Sequence, residues 1–390
     1  MTSVPETDID LYSDDMILDP YRAYQELRDA GPVVFLRQQG LYALSRYDHV
    51  RTALRDHDTY SSAQGVGADD AAARQAIGTL IASDPPAHDQ LRKIMMVPLS
   101  PSSVSKLRET ITLTAEEVVG RLVARGSFDV VTDAAQALPL AVVSHLVGLP
   151  EEGRENMLLW AAATFDVLGP ANARAAEARE HVMAMRAYAT SVAKRGLVTP
   201  GGWADRLLDL ADQGEIEAER VPSLFRDFIA PSLDTTILAT ASLFWLLGTH
   251  PDQWQMLRED PTLLRGAINE AVRVESPVRA FTRVTTREVS VDGSLIPAGA
   301  RVVMLFASAN RDDRKWEDPE RFDITRRNGD HLGFGFGVHS CAGMHLARLE
   351  MECLMTAFLS RVHRFEVSEP RWALNNTLRG LASLQATVEV

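Results

Sequence analysis

HLGFGFGVHSCAGMHLARLE, residues 331–350, surrounds one cysteine with glycine and then becomes a segment of helical apolar periodicity. Gly333, Gly335 and Gly337 alternate, a spacing that lets backbone take φ > 0 or come close to a flat partner. His339 stands two residues before Cys341, a placement suited to an anionic group. Gly343 and MHLARLEM open a helix directly after the cysteine, so the sulfur lies near a helix N-terminus whose amides and dipole favour the thiolate. A thiolate in a glycine-lined loop is a good axial ligand for haem iron. Cys353, inside the following helix, reads instead as a small core hydrophobe.

The rest of the chain sets the frame. It has 390 residues, 46% hydrophobic and 24% charged, enough for a large core. A net charge of −13 argues against nucleic acid or an anionic membrane as partner. The acidic N-terminus, MTSVPETDIDLYSDD, has neither the basic nor the apolar region of a signal peptide. The most membrane-like run, ILATASLFWLLG, is 12 residues, too short to span. Two cysteines make no disulfide framework, so a reduced, cytoplasmic setting is expected.

No linker, repeat or low-complexity tract divides residues 1–390, which are expected to form a single domain. Helical periodicity dominates in DPYRAYQELRDAG, HDQLRKIMMVPL, IEAERVPSLFRDFIA, DQWQMLREDPTLLRGAINEAVRVE and MHLARLEMECLMTAFLSRV. Strand-like alternation is short: PVVFLRQQGLYALS reads as a hairpin, REVSVDGSLIPAGARVVMLF as a second with Asp-Gly at its turn, and LASLQATVEV as a closing strand. The fold class is mainly α with a minor β-sheet.

Phe334-Gly335-Phe336-Gly337-Val338-His339-Ser340-Cys341-Ala342-Gly343 resembles the haem-binding signature of the cytochrome P450 family position by position. The resemblance extends over nearly the whole chain. It implies a single-domain cytochrome P450 fold, with haem b between a long central helix and the cysteine loop and Cys341 as axial ligand. Phe334, Gly335 and Gly343 then belong to the haem-binding loop.

Other family landmarks recur. Glu270-Ala271-Val272-Arg273 matches the E-x-x-R motif; the pair shares a helix face, and on a surface it would be worth little. Its place about seventy residues before Cys341, with PERF at Pro319 to Phe322, makes it specific. The family pairs these through an arginine, so Arg321 is expected to complete a structural Glu270–Arg273–Arg321 network. ASDPPAHDQLR, residues 82–92, resembles the D-P-P-x-H-x-x-x-R segment. His88 and Arg92 lie one helical turn apart, and with Arg283 and His339 the resemblance assigns them to the haem propionates.

DFIAPSLDTTILATASLFWLL, residues 227–247, reads as a long buried helix with Asp234-Thr235 inside an apolar run. A buried carboxylate is costly unless it has a partner or a task. The family uses this acid–alcohol pair to deliver protons to bound dioxygen, with Thr236 in support. The sequence departs just before it: Pro231-Ser232 replaces a usual Ala-Gly pair, and the proline predicts a kink.

The implied reaction inserts one atom of O2 into a substrate C–H bond; on a methoxy methyl the products are formaldehyde and a phenol. No flavin or iron–sulfur module is read in the chain. Electrons are therefore expected from a separate ferredoxin and its NAD(P)H-dependent ferredoxin reductase, with Lys93, Lys106 and Arg108 as a local docking patch. A peroxide-driven peroxygenase usually replaces the acid–alcohol pair, and a non-catalytic haem-thiolate sensor needs no proton relay. The retained Asp234-Thr235 favours a monooxygenase over both.

SSAQGVGADD, TFDVLGPAN, ESPVRAFTRVTTREVSVDG and NNTLRGLASL look most like bacterial members that oxidise small para-substituted aromatics, especially methoxybenzoates. Matching positions propose Phe165, Leu168, Ala230, Leu233 and Phe281 as the apolar wall of the substrate pocket. In the benzoate oxidisers an arginine follows the serine pair; here Ser61-Ser62 leads to Ala63 and Gln64. Gln64 is therefore the expected polar contact, and Asp69 and Asp227 stand where those relatives tend to have serine. A carboxylate entering such a pocket without a cation loses hydration it does not recover. Neutral methoxyaromatics are thus expected to bind tighter than 4-methoxybenzoate, with Arg226 the remaining cation in reach.

Overall fold

The computed structural model describes residues 3–390; Met1 and Thr2, which open the acidic N-terminal stretch, lie outside the described residues. Eight helices position the site: α1 (Tyr47–Arg55), α2 (Asp70–Ala76), α3 (Ala87–Leu99), α4 (Met157–Asp166), α5 (Ala173–Val192), α6 (Val221–Thr249), α7 (Leu264–Val274) and α8 (Met344–Leu359). The core forms around α6, which packs against α4, α5, α7 and α8. Its 29 residues begin with Pro222 in the first turn, where a missing N–H costs nothing, and stop at His250, which Pro251 holds away from helical φ/ψ. Past its midpoint α6 contributes Phe244 to an aromatic cluster with Trp254, Phe358 and Phe365, all largely buried. The run from Ala218 to Thr249 is long and apolar enough to cross a membrane, longer than the 12-residue run read in the sequence because its flanks join one helix. Yet 67% of its most apolar part is buried inside the protein, as a core helix requires.

The minor sheet has six strands: β1 (Glu6–Thr7), β2 (Val34–Leu36), β3 (Leu41–Leu44), β4 (Tyr60–Ser61), β5 (Ala280–Thr285) and β6 (Arg301–Leu305), in the order β1-β2-β3-β6-β5-β4. The predicted first hairpin is β2–β3, antiparallel with Val34 opposite Ala43. The predicted second hairpin forms only in part. Val289–Val291 pairs with Ser294–Ile296 around Asp292 and Gly293, which take φ of 47° and 83° as a tight primed turn demands. The VVML end leaves that hairpin as β6 and inserts between β3, parallel, and β5, antiparallel. The closing segment gives two strands, Leu381–Ser383 and Gln385–Glu389. DQWQMLREDPTLLRGAINEAVRVE is two helices, since Pro261 follows Asp260 and ends the first at Glu259.

Candidate active site

Between α6 and the cysteine loop lies a cavity of about 2060 Å³, counting the part open to solvent. The loop is built for it. Gly335 and Gly337 have φ of 68° and 72°, and a Cβ on Gly337 would stand 2.4 Å from the Leu54 carbonyl oxygen of α1. Gly333 is needed for closeness instead: a Cβ there would meet Val272 of α7 at 2.5 Å. The Cys341 amide donates to the Phe334 carbonyl at 2.8 Å and closes the loop. Cys341 opens onto the cavity and is otherwise enclosed by protein. Burial pushes its thiol above the ordinary value, against the amides of Gly343 and Met344 at the start of α8 and the charge of Arg92. Phe334, under Arg348 at 4.8 Å, Gly335 and Gly343 line the same space. Cys353 sits on α8 in the core, its sulfur 3.4 Å from the Thr112 hydroxyl and off the cavity.

One side of the cavity gathers basic side chains in excess of acids, with Asp89 at 3.0 Å from His88 Nδ1 and Asp84 acting on Arg283. His88 and Arg92 project from one face of α3, and the rings of His88 and His339 meet edge to face at 4.5 Å. The Nε2 atoms of both histidines are buried without a hydrogen-bond partner. Burial pushes His339 down to about 3, helped by the charges of Arg283, His88 and Arg92, and pushes Arg283 down to about 10 with only Asp84 opposing. Such a cluster is unfavourable as it stands and calls for a buried dianion. Two propionates over a thiolate are that dianion, so the residues present fit haem.

The opposite wall is α6. Arg226, Asp227, Ala230, Pro231, Ser232, Thr235 and Thr236 face the cavity, and the helix continues unbroken through Pro231. The Thr235 hydroxyl donates to the Pro231 carbonyl at 2.8 Å. Asp234 lies one position back, outside the lining, and burial pushes its carboxyl up to about 7, with Asp166 at the end of α4 adding to the rise. Phe165, Leu168, Ala230 and Phe281 all line the space, as the sequence predicts. Leu233 does not; it is fully buried core.

Three predicted contacts are corrected. Gln64 is exposed and outside the cavity, because Ser61 and Ser62 turn inward to bind Asp84 at 2.6 and 2.9 Å and leave residues 63 and 64 in solvent. Asp69 is the N-cap of α2, accepting from the Ala72 amide at 2.8 Å, and lies outside the cavity lining. The Glu270–Arg273 pair forms, wholly buried and doubly bonded at 2.7 and 2.9 Å, but Arg321 offers it only a backbone carbonyl. The second guanidinium on Glu270 is that of Arg326, at 2.9 Å.

The structure adds cavity residues that the sequence left unmarked. Arg186 reaches it from α5, and Glu350 of α8 enters it with one carboxyl oxygen unpartnered, its pKa pushed up to about 8 by burial. A glutamate inside the apolar LARLEMEC run is a visible signal for Glu350. Arg186 stands in an alternating polar helix and carries none.

The family model for cytochrome P450 matches residues 203–387. Cytochrome p450 CYP199A2 of Rhodopseudomonas palustris is 40% identical, covering 98% of this chain and 94% of its own length. The chain belongs to the cytochrome P450 family. Beta-dihydromenaquinone-9 omega-hydroxylase of Mycobacterium tuberculosis is 32% identical to this P450, over 98% of the chain and 78% of its own length. The structure of Mycobacterium marinum cytochrome P450 CYP268A2 in complex with pseudoionone superimposes with a TM-score of 0.89 at 28% identity, covering 98% and 99%. This P450 is an oxidoreductase of the monooxygenase class that uses O2, a small-molecule substrate and redox partners, and its cofactor is haem b with the Cys341 thiolate as axial ligand.

Proposed function

We propose that this P450 hydroxylates or O-demethylates a small aromatic substrate in the cytoplasm, with electrons from a separate ferredoxin and NAD(P)H-dependent ferredoxin reductase. The observation that carries this reading is the wall formed by Phe165, Leu168, Ala230 and Phe281, two aromatic and two aliphatic faces beside Thr235 in the space that also holds Cys341. Haem held by Cys341 supplies the activation of O2 and insertion of an oxygen atom. His88, Arg92, Arg283 and His339 hold the propionates, while Phe334, Gly335 and Gly343 shape the loop beneath. Glu270 and Arg273, with the Arg321 carbonyl and the Arg326 guanidinium, fix the 310–328 segment that precedes that loop to α7, a structural role.

Asp234 stores a proton, and Thr235 passes it to the cavity. A carboxyl with a pKa of about 7 is part protonated near neutrality, as a proton donor should be. The Thr235 hydroxyl, while donating to Pro231, keeps its oxygen free to accept. Lys93, Lys106 and Arg108 are exposed on and after α3, with Arg108 3.3 Å from Glu352 of α8, on the side of the thiolate loop. They serve as the docking patch for an acidic electron donor.

The test is a panel of para-substituted aromatics, aliphatic acids and terpenes scored by the spin-state shift of the Soret band, followed by product analysis with a ferredoxin and its reductase. Full shifts with hydroxylated or demethylated aromatic products are expected. Shifts confined to the aliphatic or terpene compounds would overturn the reading.

A further inference from the structure

Of the polar positions that the sequence offered to a substrate, Gln64 and Asp69 miss the cavity and Asp227 reaches it, on the wall of α6. The Leu80 amide donates to Asp227 Oδ2 at 3.0 Å, which fixes how the carboxyl is turned. Its Oδ1 has no hydrogen-bond partner among the described residues and is left open to the cavity, since Asp227 is only half-buried. Two guanidinium groups line the same end. Arg186 of α5 donates to the backbone oxygen and Oε1 of Gln75, at 3.0 and 3.1 Å. Arg226 bonds to no protein group among the described residues, and its charge acts on Asp227 from the preceding position of the helix.

This end therefore presents one acceptor, Asp227 Oδ1, beside free donors on Arg226. A carboxylate only accepts, so it meets Arg226 but faces Asp227 as a like charge. An ammonium only donates, and faces Arg226 as a like charge in turn. A hydroxyl does both: its proton goes to Oδ1 and its oxygen accepts from the guanidinium, with no charge to desolvate. We propose that Asp227 selects the polar end of the substrate by accepting a hydrogen bond from a ring hydroxyl, so that this P450 acts on para-substituted phenols. The proposal rests on the aromatic reading above and narrows it. It keeps the expectation that neutral aromatics bind tighter than 4-methoxybenzoate, and moves the cause from Gln64 and Asp69 to Asp227.

Position adds a length. Asp227 and Thr235 are eight residues apart on one helix, roughly 12 Å along its axis at about 1.5 Å per residue. Ala230 faces the cavity between them, and Phe165 and Phe281 border the same space. With its hydroxyl at Asp227, a phenol lays its ring along this apolar wall and points its para substituent toward Thr235.

The experiment titrates the haem-loaded enzyme with 4-methoxyphenol, its methyl ether 1,4-dimethoxybenzene and 4-methoxybenzoate, following the Soret shift. Octanol and its methyl ether serve as an aliphatic pair. A buffer at about pH 8 lies above the value of about 7 to which burial pushes Asp227 and below the range in which a phenol ionises. Wild type and Asp227→Asn are compared, with haem content measured for each. In the variant the side-chain oxygen keeps the Leu80 amide and the NH2 group faces the cavity, so the acceptor becomes a donor. Wild type is expected to bind the phenol about tenfold to a hundredfold tighter than its ether, the range of a hydrogen bond to a charged group. Asp227→Asn should remove that preference, tighten the benzoate by about tenfold and leave haem content unchanged. The extra methyl of the ether is common to both proteins, so the change in the ratio isolates the hydrogen bond. An Asp227-dependent preference for octanol over its ether, without binding of any aromatic, keeps the acceptor site and sinks the aromatic reading. Equal affinity for phenol and ether in the wild type overturns the acceptor site and leaves the aromatic reading standing. So does a phenol preference that survives Asp227→Asn, or a wild type that binds the benzoate tightest. If the variant loses haem, the wild-type ratios decide alone, and binding of none of the five compounds overturns both claims.

Discussion

At the scale of single residues, chemistry written in a short local pattern survives folding, and chemistry that depends on a distant neighbour does not. Cys341, His88, Arg92 and His339 lie in motifs whose spacing places them, and the structure brings Cys341, Arg92 and His339 to one cavity with His88 packed against the His339 ring. Gln64 and Asp69 lie in a loop whose facing is decided by Ser61 and Ser62 binding Asp84 and by the cap of α2. Asp234 illustrates the middle case: the apolar run around it announces a costly carboxyl, and the structure supplies the reason its proton stays on, burial beside Asp166. Thr235→Ala is expected to leave substrate affinity unchanged and to lower the fraction of NADH electrons recovered in product. The remainder should appear as peroxide, because the hydroxyl that hands the proton into the cavity is gone. The pH profile gives the sign. Asp234 is protonated below about 7 and ionised above it, so coupling in the wild type should fall as pH rises through that value. In Asp234→Asn it should be low and flat. Product and peroxide yields per NADH, measured over about pH 6 to 8, decide this.

At the scale of elements, α7 and α8 carry the two tests. Glu270 and Arg273 were legible as a pair from their spacing, but which downstream arginine folds back was not. PERF supplies a carbonyl from Arg321, and Arg326, five residues on, supplies the guanidinium. Arg321 is exposed, so Arg321→Ala should change stability by no more than about 0.5 kcal/mol. Arg326→Ala should cost about 1–3 kcal/mol, and Arg273→Ala about 3–5 kcal/mol by leaving Glu270 buried and under-compensated. Urea unfolding of the three variants ranks them, and equal losses for Arg321 and Arg326 would contradict the network described. On α8, Glu350 is 3% exposed with an unpartnered oxygen. Its folded pKa of about 8 lies above its ordinary 4.5, so the native state binds the extra proton between those values. Stability must then fall as pH rises through that window. Glu350→Gln should remove that decline and match or exceed the wild type at the upper end by about 1–3 kcal/mol. Tm measured at the two ends of the window checks it; a variant that loses stability at both would show that Glu350 has a partner.

At the scale of the whole molecule, the mainly helical class and the central helix were readable because α6 is apolar on nearly every face and its ends are marked by Pro222 and Pro251. The sheet was readable only where a local turn dictated pairing, as at Asp292-Gly293. The insertion of β6 between β3 and β5 joins segments some 260 residues apart, and no local signal encodes it. For the same reason Arg186 came to the cavity unannounced: α5 reaches it only through its packing on α4 and α6. What unites these scales is one cavity with Cys341 beneath it and a cradle of cations beside it, arranged to hold haem through a thiolate. The most direct test is the absorption spectrum of the reduced carbon monoxide complex in wild type, Cys341→Ser and Cys353→Ser. The account predicts a red-shifted thiolate-type Soret band in wild type and Cys353→Ser, and its complete loss in Cys341→Ser. The same band persisting in Cys341→Ser, or vanishing in Cys353→Ser alone, would contradict it.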